Sequence, residues 1–331
     1  MVNQEIGFSL WLDFVERDFL KNDFLKLIKN GVINGATSNP AIFASAITTS
    51  PAYKEQLDSL GGKSAKEKYE ALAIADIKTA AQALRECYDE GNDGYISIEV
   101  DPFLSNDTQA TVEEGKRLFN AIGEPNVMIK VPATPAGYEA MSQLMSDGIS
   151  VNATLIFSPQ QARECLDAMK RGLDEYDVIG GCRVEGVISV FVSRFDRLLD
   201  PKLKELGLPT AKTGLYNAAK IYNMIERNHT PAIKTLFAST GVKGDELEPS
   251  YYIRELLAPH SVNTAPLATI QEYIKGVEAS PKLPIADNEI EEYFAKLEAN
   301  GIDMQEVYNV LLSDGLVAFE KAFEDMLDTL K

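Results

Sequence analysis

Histidine and cysteine are scarce in this sequence: 331 residues carry two His, His229 and His260, and three Cys, Cys87, Cys165 and Cys182. Two His cannot furnish a metal site built from several imidazoles, and no Cys pair has the CxxC spacing of a zinc or redox motif. An odd, widely spaced set of cysteines argues against a disulfide framework and reads as the reduced chain of a cytoplasmic protein. Long apolar runs are missing as well. None approaches the ~20 residues needed to cross a bilayer, and Met1 to Gly7 lacks the basic and apolar regions of a signal peptide, so no membrane association is expected. Positive charge is in deficit: 50 acidic residues against 32 basic ones leave a net charge of -18. Such a surface repels phosphodiester backbones and argues against a nucleic-acid partner. It also means that any phosphorylated ligand needs its own local cluster of Arg, Lys and backbone N–H groups.

What is present is the balance of an ordinary globular chain, 45% hydrophobic and 25% charged. The length fits one large barrel or two ordinary domains. Short apolar or β-branched runs occur at Phe8–Leu12, Ile33–Thr37, Tyr95–Val100, Val127–Val131, Ser150–Phe157, Val184–Val192, Thr235–Ser239 and Ser261–Thr264. Helical patterns lie between many of them, at Lys63–Glu90, Asp107–Ile122, Ala136–Asp147, Pro159–Glu175, Ala211–Arg227 and Asp245–Leu257. Strand–helix alternation implies a parallel sheet. Eight such units suggest a closed (β/α)8 TIM barrel, an α/β fold, occupying residues 1–331 as one domain. Ser158-Pro159 reads as an N-cap followed by Pro at the first helical position, and Asp107 as the cap of the helix beginning at Thr108. From about 286 to 331, Val307, Val310, Leu311, Phe319, Phe323, Met326 and Leu330 recur at helical spacing and predict one or two additional C-terminal helices.

Polar residues interrupt the apolar strands near their C-terminal ends, where a barrel collects its reactive groups. In the fourth strand, Lys130 stands among Val127, Met128, Ile129 and Val131. Lysine is a poor strand residue and costly to bury charged. Burial lowers a lysine's pKa from its free value of ~10.4, toward the neutral amine that attacks a carbonyl. A snorkelling or ion-paired lysine leaves the same trace, and Lys234 beside the seventh strand is the ordinary version. In the third strand Ser97, Glu99 and Asp101 share one face, so Glu99 is either an inward acid/base or an outward, solvated carboxylate. Asp13 ends the first strand as a second proton-transfer group or a helix cap. Asn152 and Thr154 share a face of the fifth strand, suited to orienting a hydroxyl or a water, or to bonding one another. Asn39 precedes Pro40 in a turn.

Phosphate has candidate ligands in Ser189, Ser193 and Arg194 around the sixth strand, and in Ser239 and Lys243 after the seventh. Arg194 can grip a phosphate by two hydrogen bonds, while Lys243 offers a point charge. Ser239-Thr240-Gly241-Val242-Lys243 is not a P-loop, because the longer Gly-rich spacing is missing.

Taken together, these segments resemble the transaldolase family. Gly35-Ala36-Thr37-Ser38-Asn39-Pro40-Ala41-Ile42-Phe43 is similar to its Thr-Ser/Thr-Asn-Pro signature, and Met128-Ile129-Lys130-Val131-Pro132-Ala133-Thr134 to its Schiff-base lysine segment. Trp11-Leu12-Asp13, Ser97 to Asp101, Val151 to Leu155 and Ile188 to Arg194 fall in the expected order along nearly the whole chain. The resemblance implies that Lys130 forms the imine and that Asp13 handles the sugar's C4 hydroxyl. Glu99 and Thr154 would hold a catalytic water. Asn39, Asn152 and Ser189 would bind the substrate or intermediate, and Arg194 and Ser239 its phosphate. One departure stands out. Compact members carry Ser-x-Arg after the seventh strand, whereas here Gly241 takes the Arg position, as in the longer-chain branch, and Lys243 is the expected replacement.

The expected reaction moves a dihydroxyacetone unit from sedoheptulose 7-phosphate or fructose 6-phosphate to glyceraldehyde 3-phosphate or erythrose 4-phosphate. It is a step of the pentose phosphate pathway, and no cofactor is expected because the imine supplies the electrophile. The rivals are a metal-free class I sugar-phosphate aldolase, which releases the unit, a non-catalytic sugar-phosphate-binding barrel, and a pyridoxal phosphate enzyme. The sequence leaves monomer and homodimer open.

Overall fold

The computed structural model describes residues 5–176, 183–276 and 280–331; Cys182 falls outside them. Eight strands close into one parallel barrel: β1 Phe8–Asp13, β2 Gly35–Thr37, β3 Ile96–Glu99, β4 Val127–Pro132, β5 Val151–Ile156, β6 Gly186–Phe191, β7 Ile233–Ala238 and β8 Ser261–Ala265. Their order around the barrel is their order in the chain, and β8 pairs with β1 from Phe8 opposite Ser261 to Leu12 opposite Ala265. All eight expected strands are present, with ends shifted by at most two residues.

The helices differ more. The expected helix Lys63–Glu90 is two, Ala65–Ala83 and Arg85–Asp89, broken at Leu84. Of the expected Asp245–Leu257 only Tyr251–Glu255 is helical. Gly244 has a left-handed backbone, φ 85°, and Pro249 disfavours helix at the residue before it. Helix Ser193–Glu205 was not anticipated. It starts directly off β6 with no side-chain cap and contains Pro201, so it lacks the usual start signal and carries a stop signal. The other capping expectations hold: Ser158 and Gln161 form a capping box, and Asp107 accepts from the Ala110 N–H.

Inside the barrel, residues two apart on each strand build layers. The middle layer is apolar and fully buried, with Trp11, Met128, Val187, Leu236 and Val262. Trp11 occupies space that β2 concedes: a Cβ on Gly35 would stand 2.5 Å from the indole ring. Below this plug the Trp11 indole N–H donates to Asp93 at 3.1 Å, and the other Asp93 oxygen pairs with Lys234. Lys234 is thus the ion-paired lysine of the ordinary kind. Burial pushes its pKa down, but Asp93 and Glu185 outweigh that and hold it above the usual value. Asp93 is 3% exposed. Asp93→Asn keeps a side chain that tolerates the φ of 52° but strips the lysine of its counter-charge. It is expected to cost about 3 kcal/mol of stability in a denaturant titration. A loss under ~1 kcal/mol would show that Glu185, 3.9 Å from the ammonium, suffices alone.

Two helices follow the barrel, Asp287–Ala299 and Met304–Asp328. The second buries Val307, Leu311, Phe323 and Met326, while Val310 is exposed. It runs over the C-terminal mouth of the barrel, where Gly315 meets Leu155 and Phe157 and Phe319 enters the cavity described next. Among the described residues no helix is long and apolar enough to cross a membrane.

Candidate active site

Above the apolar plug the next inward layer is polar, because every strand but β7 places a hydrophilic residue inward near its C-terminal end. These residues line a cavity of about 150 Å³: Asp13 from β1, Thr37 from β2, Lys130 from β4, Asn152 and Thr154 from β5, Ser189 from β6, Ala238 from β7 and Thr264 from β8, with Asn39, Phe191, Arg194, Ser239 and Phe319 around the rim. A larger cleft of about 750 Å³ lies on the outside, between Lys220, Glu291, Phe294 and Tyr308, but gathers no comparable set of reactive groups.

Lys130 is 7% exposed and Glu99 6%. The Glu99 Oε2 atom lies 3.3 Å from Lys130 Nζ. This is ion-pair distance, yet Oε2 has no hydrogen-bond partner and neither has Thr154 Oγ1. Two orphaned buried oxygens, on the strands that flank β4 and its Lys130, are the signature of a place for water. The remaining Lys130 bond is long, 3.4 Å to the Ser38 carbonyl. The amine is therefore loosely held and faces a cavity, unlike Lys234. Glu99 is turned inward, which the strand alternation left open.

Asp13 is not a cap. The next helix, Arg17–Lys21, is capped by Glu16, which accepts from the Phe19 N–H at 2.7 Å. Asp13 Oδ1 instead accepts from the Thr37 hydroxyl at 2.7 Å, and Thr37 Oγ1 lies 2.9 Å from Thr264 Oγ1. Burial raises the Asp13 pKa; the Lys130 charge and the Thr37 bond oppose it without cancelling it. Glu99 is raised likewise by burial, with Lys130 opposing and Asp13 adding to the rise. Two carboxyls held above their ordinary range beside one amine can pass protons near neutral pH. Thr37→Val removes a bond that favours the carboxylate, so Asp13 should protonate at higher pH. The acid limb of kcat is expected to shift upward in Thr37→Val and stay in place in Thr37→Ser; an unmoved limb in both would show that Asp13 does not set it.

Asn152 Nδ2 donates to Ser97 Oγ at 2.9 Å and its Oδ1 accepts from Ser189 at 2.6 Å, which fixes the amide across three strands. Asn39 lines the cavity while its Oδ1 caps helix Pro40–Thr49 by accepting from the Ile42 N–H. At the other side Arg194 lies over the Phe191 ring, 4.9 Å to its centroid. Burial and neighbouring Arg197 push its pKa below the usual value. Ser239 has a left-handed backbone, φ 56°, and its hydroxyl is 3.1 Å from that of Ser193. Lys243, expected at this end, does not line the cavity and is exposed. Thr240 turns inward to bond Asn263 and the Thr264 carbonyl, and the chain beyond it runs at the surface through Gly244. Thr37, Thr264, Phe191 and Phe319 were not singled out as site residues. Thr37 lay inside a quoted motif that reads equally as a turn, and Phe319 reads only as one member of an apolar helix face.

The model of the family described as Transaldolase/Fructose-6-phosphate aldolase matches residues 10–330. A transaldolase of Campylobacter jejuni subsp. jejuni (strain 81-176) is 49% identical over 331 residues, covering 98% of this chain and 99% of its own. A transaldolase of Helicobacter pylori (strain Shi470) is 45% identical over 324 residues, covering 97% and 99%. With the lysine on β4 and the two carboxyls at the ends of β1 and β3, the chain belongs to the transaldolase/fructose-6-phosphate aldolase family.

Proposed function

We propose that the chain transfers a dihydroxyacetone unit between sugar phosphates through an imine on Lys130. The observation that carries this is the buried, loosely held Lys130 amine, 3.3 Å from Glu99 and opening onto a polar cavity that also holds Asp13. Lys130 gives its proton toward Glu99 and attacks the ketone carbon of a donor such as fructose 6-phosphate or sedoheptulose 7-phosphate. The carbinolamine loses water, with protons moved by Glu99 and by a water between it and Thr154. The protonated imine is an electron sink. Asp13 takes the proton of the C4 hydroxyl, the C3–C4 bond breaks, and its electron pair passes into the imine. An aldose phosphate leaves and a three-carbon enamine remains on Lys130. The same steps in reverse join it to glyceraldehyde 3-phosphate or erythrose 4-phosphate, giving ping-pong kinetics.

Asn39, Asn152 and Ser189, which line the cavity, are read as binding the hydroxyls of the three-carbon unit. Arg194 and Ser239, at the far side with the Ser193 hydroxyl, are read as the phosphate end. Lys243 enters this reading only if its loop closes over bound substrate. The free thiols of Cys87 and Cys165 suit the reducing cytoplasm, where we place the reaction. The test is borohydride reduction in the presence of donor, followed by peptide mapping. A reduced adduct on Lys130 is expected; an adduct on another lysine, or none, refutes the proposal.

A further inference from the structure

The helix Met304–Asp328 touches the active-site cavity through one ring. Phe319 lines the cavity, and its centroid is 5.5 Å from Lys130 Nζ. The helix is held on both sides of this point. One turn earlier, a Cβ on Gly315 would lie 3.1 Å from Leu155, 3.3 Å from Phe157 and 3.5 Å from an Arg194 nitrogen, so the backbone itself rests on the barrel mouth. One turn later, Phe323 is buried edge-on against Tyr69. The helix backbone at Phe319 is therefore held over the barrel mouth, and its half-buried ring packs on the cluster that contains Leu155 and Phe157. The groups closest to the amine, Glu99 and the Ser38 carbonyl, are polar. The other large apolar side chain of the cavity, Phe191, lies under Arg194.

We infer that Phe319 is a specificity-determining residue that favours transfer over release by shielding the three-carbon intermediate on Lys130 from water. This rests on the imine reading above. Release requires the neutral enamine carbon to take a proton, giving the protonated imine. Water then adds to the C=N carbon, and the carbinolamine breaks down to dihydroxyacetone and the protonated Lys130 amine. Water addition to the imine also ends every transfer cycle, so the step peculiar to release is protonation of the enamine carbon by a donor from bulk water. An apolar ring beside the nitrogen keeps that donor away, while its π face tolerates the positive charge of the imine. The acceptor aldehyde is read as entering with its phosphate at Arg194 and Ser239, which line the same cavity.

Full-length Phe319→Ala would be given fructose 6-phosphate, once alone and once with erythrose 4-phosphate, with dihydroxyacetone and transfer product measured on the same preparation. The ratio of release to transfer is expected to rise by roughly tenfold or more, the scale of one lost apolar contact, and Phe319→Leu should stay near the parent. A ratio that does not change, whether both rates fall together or neither does, overturns the inference. Leu311→Ala loosens the same helix two turns away without opening the cavity; an equal rise there would assign the effect to helix docking and also overturn it. Borohydride trapping on the unaltered protein separates the two levels. An adduct with an unmoved ratio removes only the role of Phe319, whereas no adduct on Lys130 removes the imine mechanism and this inference with it.

Discussion

Lys130→Met is expected to lower turnover by about 10⁴-fold or more, because in the proposed mechanism it removes the nucleophile that every later step depends on. Methionine fills the space of the lysine stem but offers no amine, so no imine forms and borohydride leaves no donor-dependent adduct. The barrel should survive the change. Lys130 contributes one ion pair and one long bond to a carbonyl, and its apolar neighbours Ile129 and Val131 are packed outward and fully buried. Glu99 loses the charge that opposes its raised pKa, and the buried carboxyl should then take up a proton and remain neutral. Lys130→Arg sharpens the test. It keeps a cation opposite Glu99, but a guanidinium does not form the imine. If the Arg variant turned over like the parent, Lys130 would be an ion-pair partner of the Lys234 kind and the mechanism would fall. Circular dichroism and melting curves on both variants would separate lost chemistry from lost folding.

Strand alternation made much of this site legible in the sequence. Period two puts Met128 and Lys130 on one face and Ser97 and Glu99 on another, so once the barrel closes their direction is fixed. What alternation could not supply was the sign of that face. Glu99 pointed in or out until the apolar plug of Trp11, Met128, Val187 and Leu236 showed which side was the interior. The role of Asp13 was equally undecided, because a carboxylate that ends a strand and one that caps a helix look alike. Glu16 removes the cap reading by taking the cap itself. Arg194 and Ser239, read from their positions after the sixth and seventh strands, line the cavity, whereas Lys243 lies outside it, on an exposed loop with no periodicity to aim a side chain. Phe319 lay beyond reach for a different reason. It is 189 residues from Lys130, and an amphipathic pattern says that a residue is covered, never by what. Helix boundaries failed where local chemistry ran against pattern, at Leu84 and ahead of Pro249.

The same distinction between a placed carboxyl and a capping one predicts the behaviour of Asp13→Asn. Cleavage of the C3–C4 bond should slow by about 10²- to 10⁴-fold, the usual worth of a positioned acid/base group. Imine formation should persist, since Glu99 and Lys130 are untouched. The reduced adduct would then change in mass: the intact donor stays on Lys130, where the parent enzyme traps only the three-carbon unit. A three-carbon adduct formed at the parent rate would show that another group takes the C4 proton. The pH dependence follows from the raised pKa of Asp13. The base must be ionised to act, so the parent's rate should fall on the acid side above the ordinary carboxylate range, and that limb should vanish in the Asn variant.

Stability should move the opposite way from activity. Between the unfolded value of 3.8 and the higher folded value, the native state binds more protons than the unfolded one, so stability falls as pH rises through that window. Above it the cost of holding an ionised Asp13 beside Glu99 remains in full. Asp13→Asn escapes this cost. It should melt higher than the parent at neutral pH, with the gain shrinking toward zero as the pH drops below 3.8. The Thr37 hydroxyl, free to keep its bond to the amide oxygen, holds the new side chain in the same place, so a gain in melting temperature together with a loss of cleavage would identify Asp13 as a carboxyl kept for chemistry at the expense of the fold.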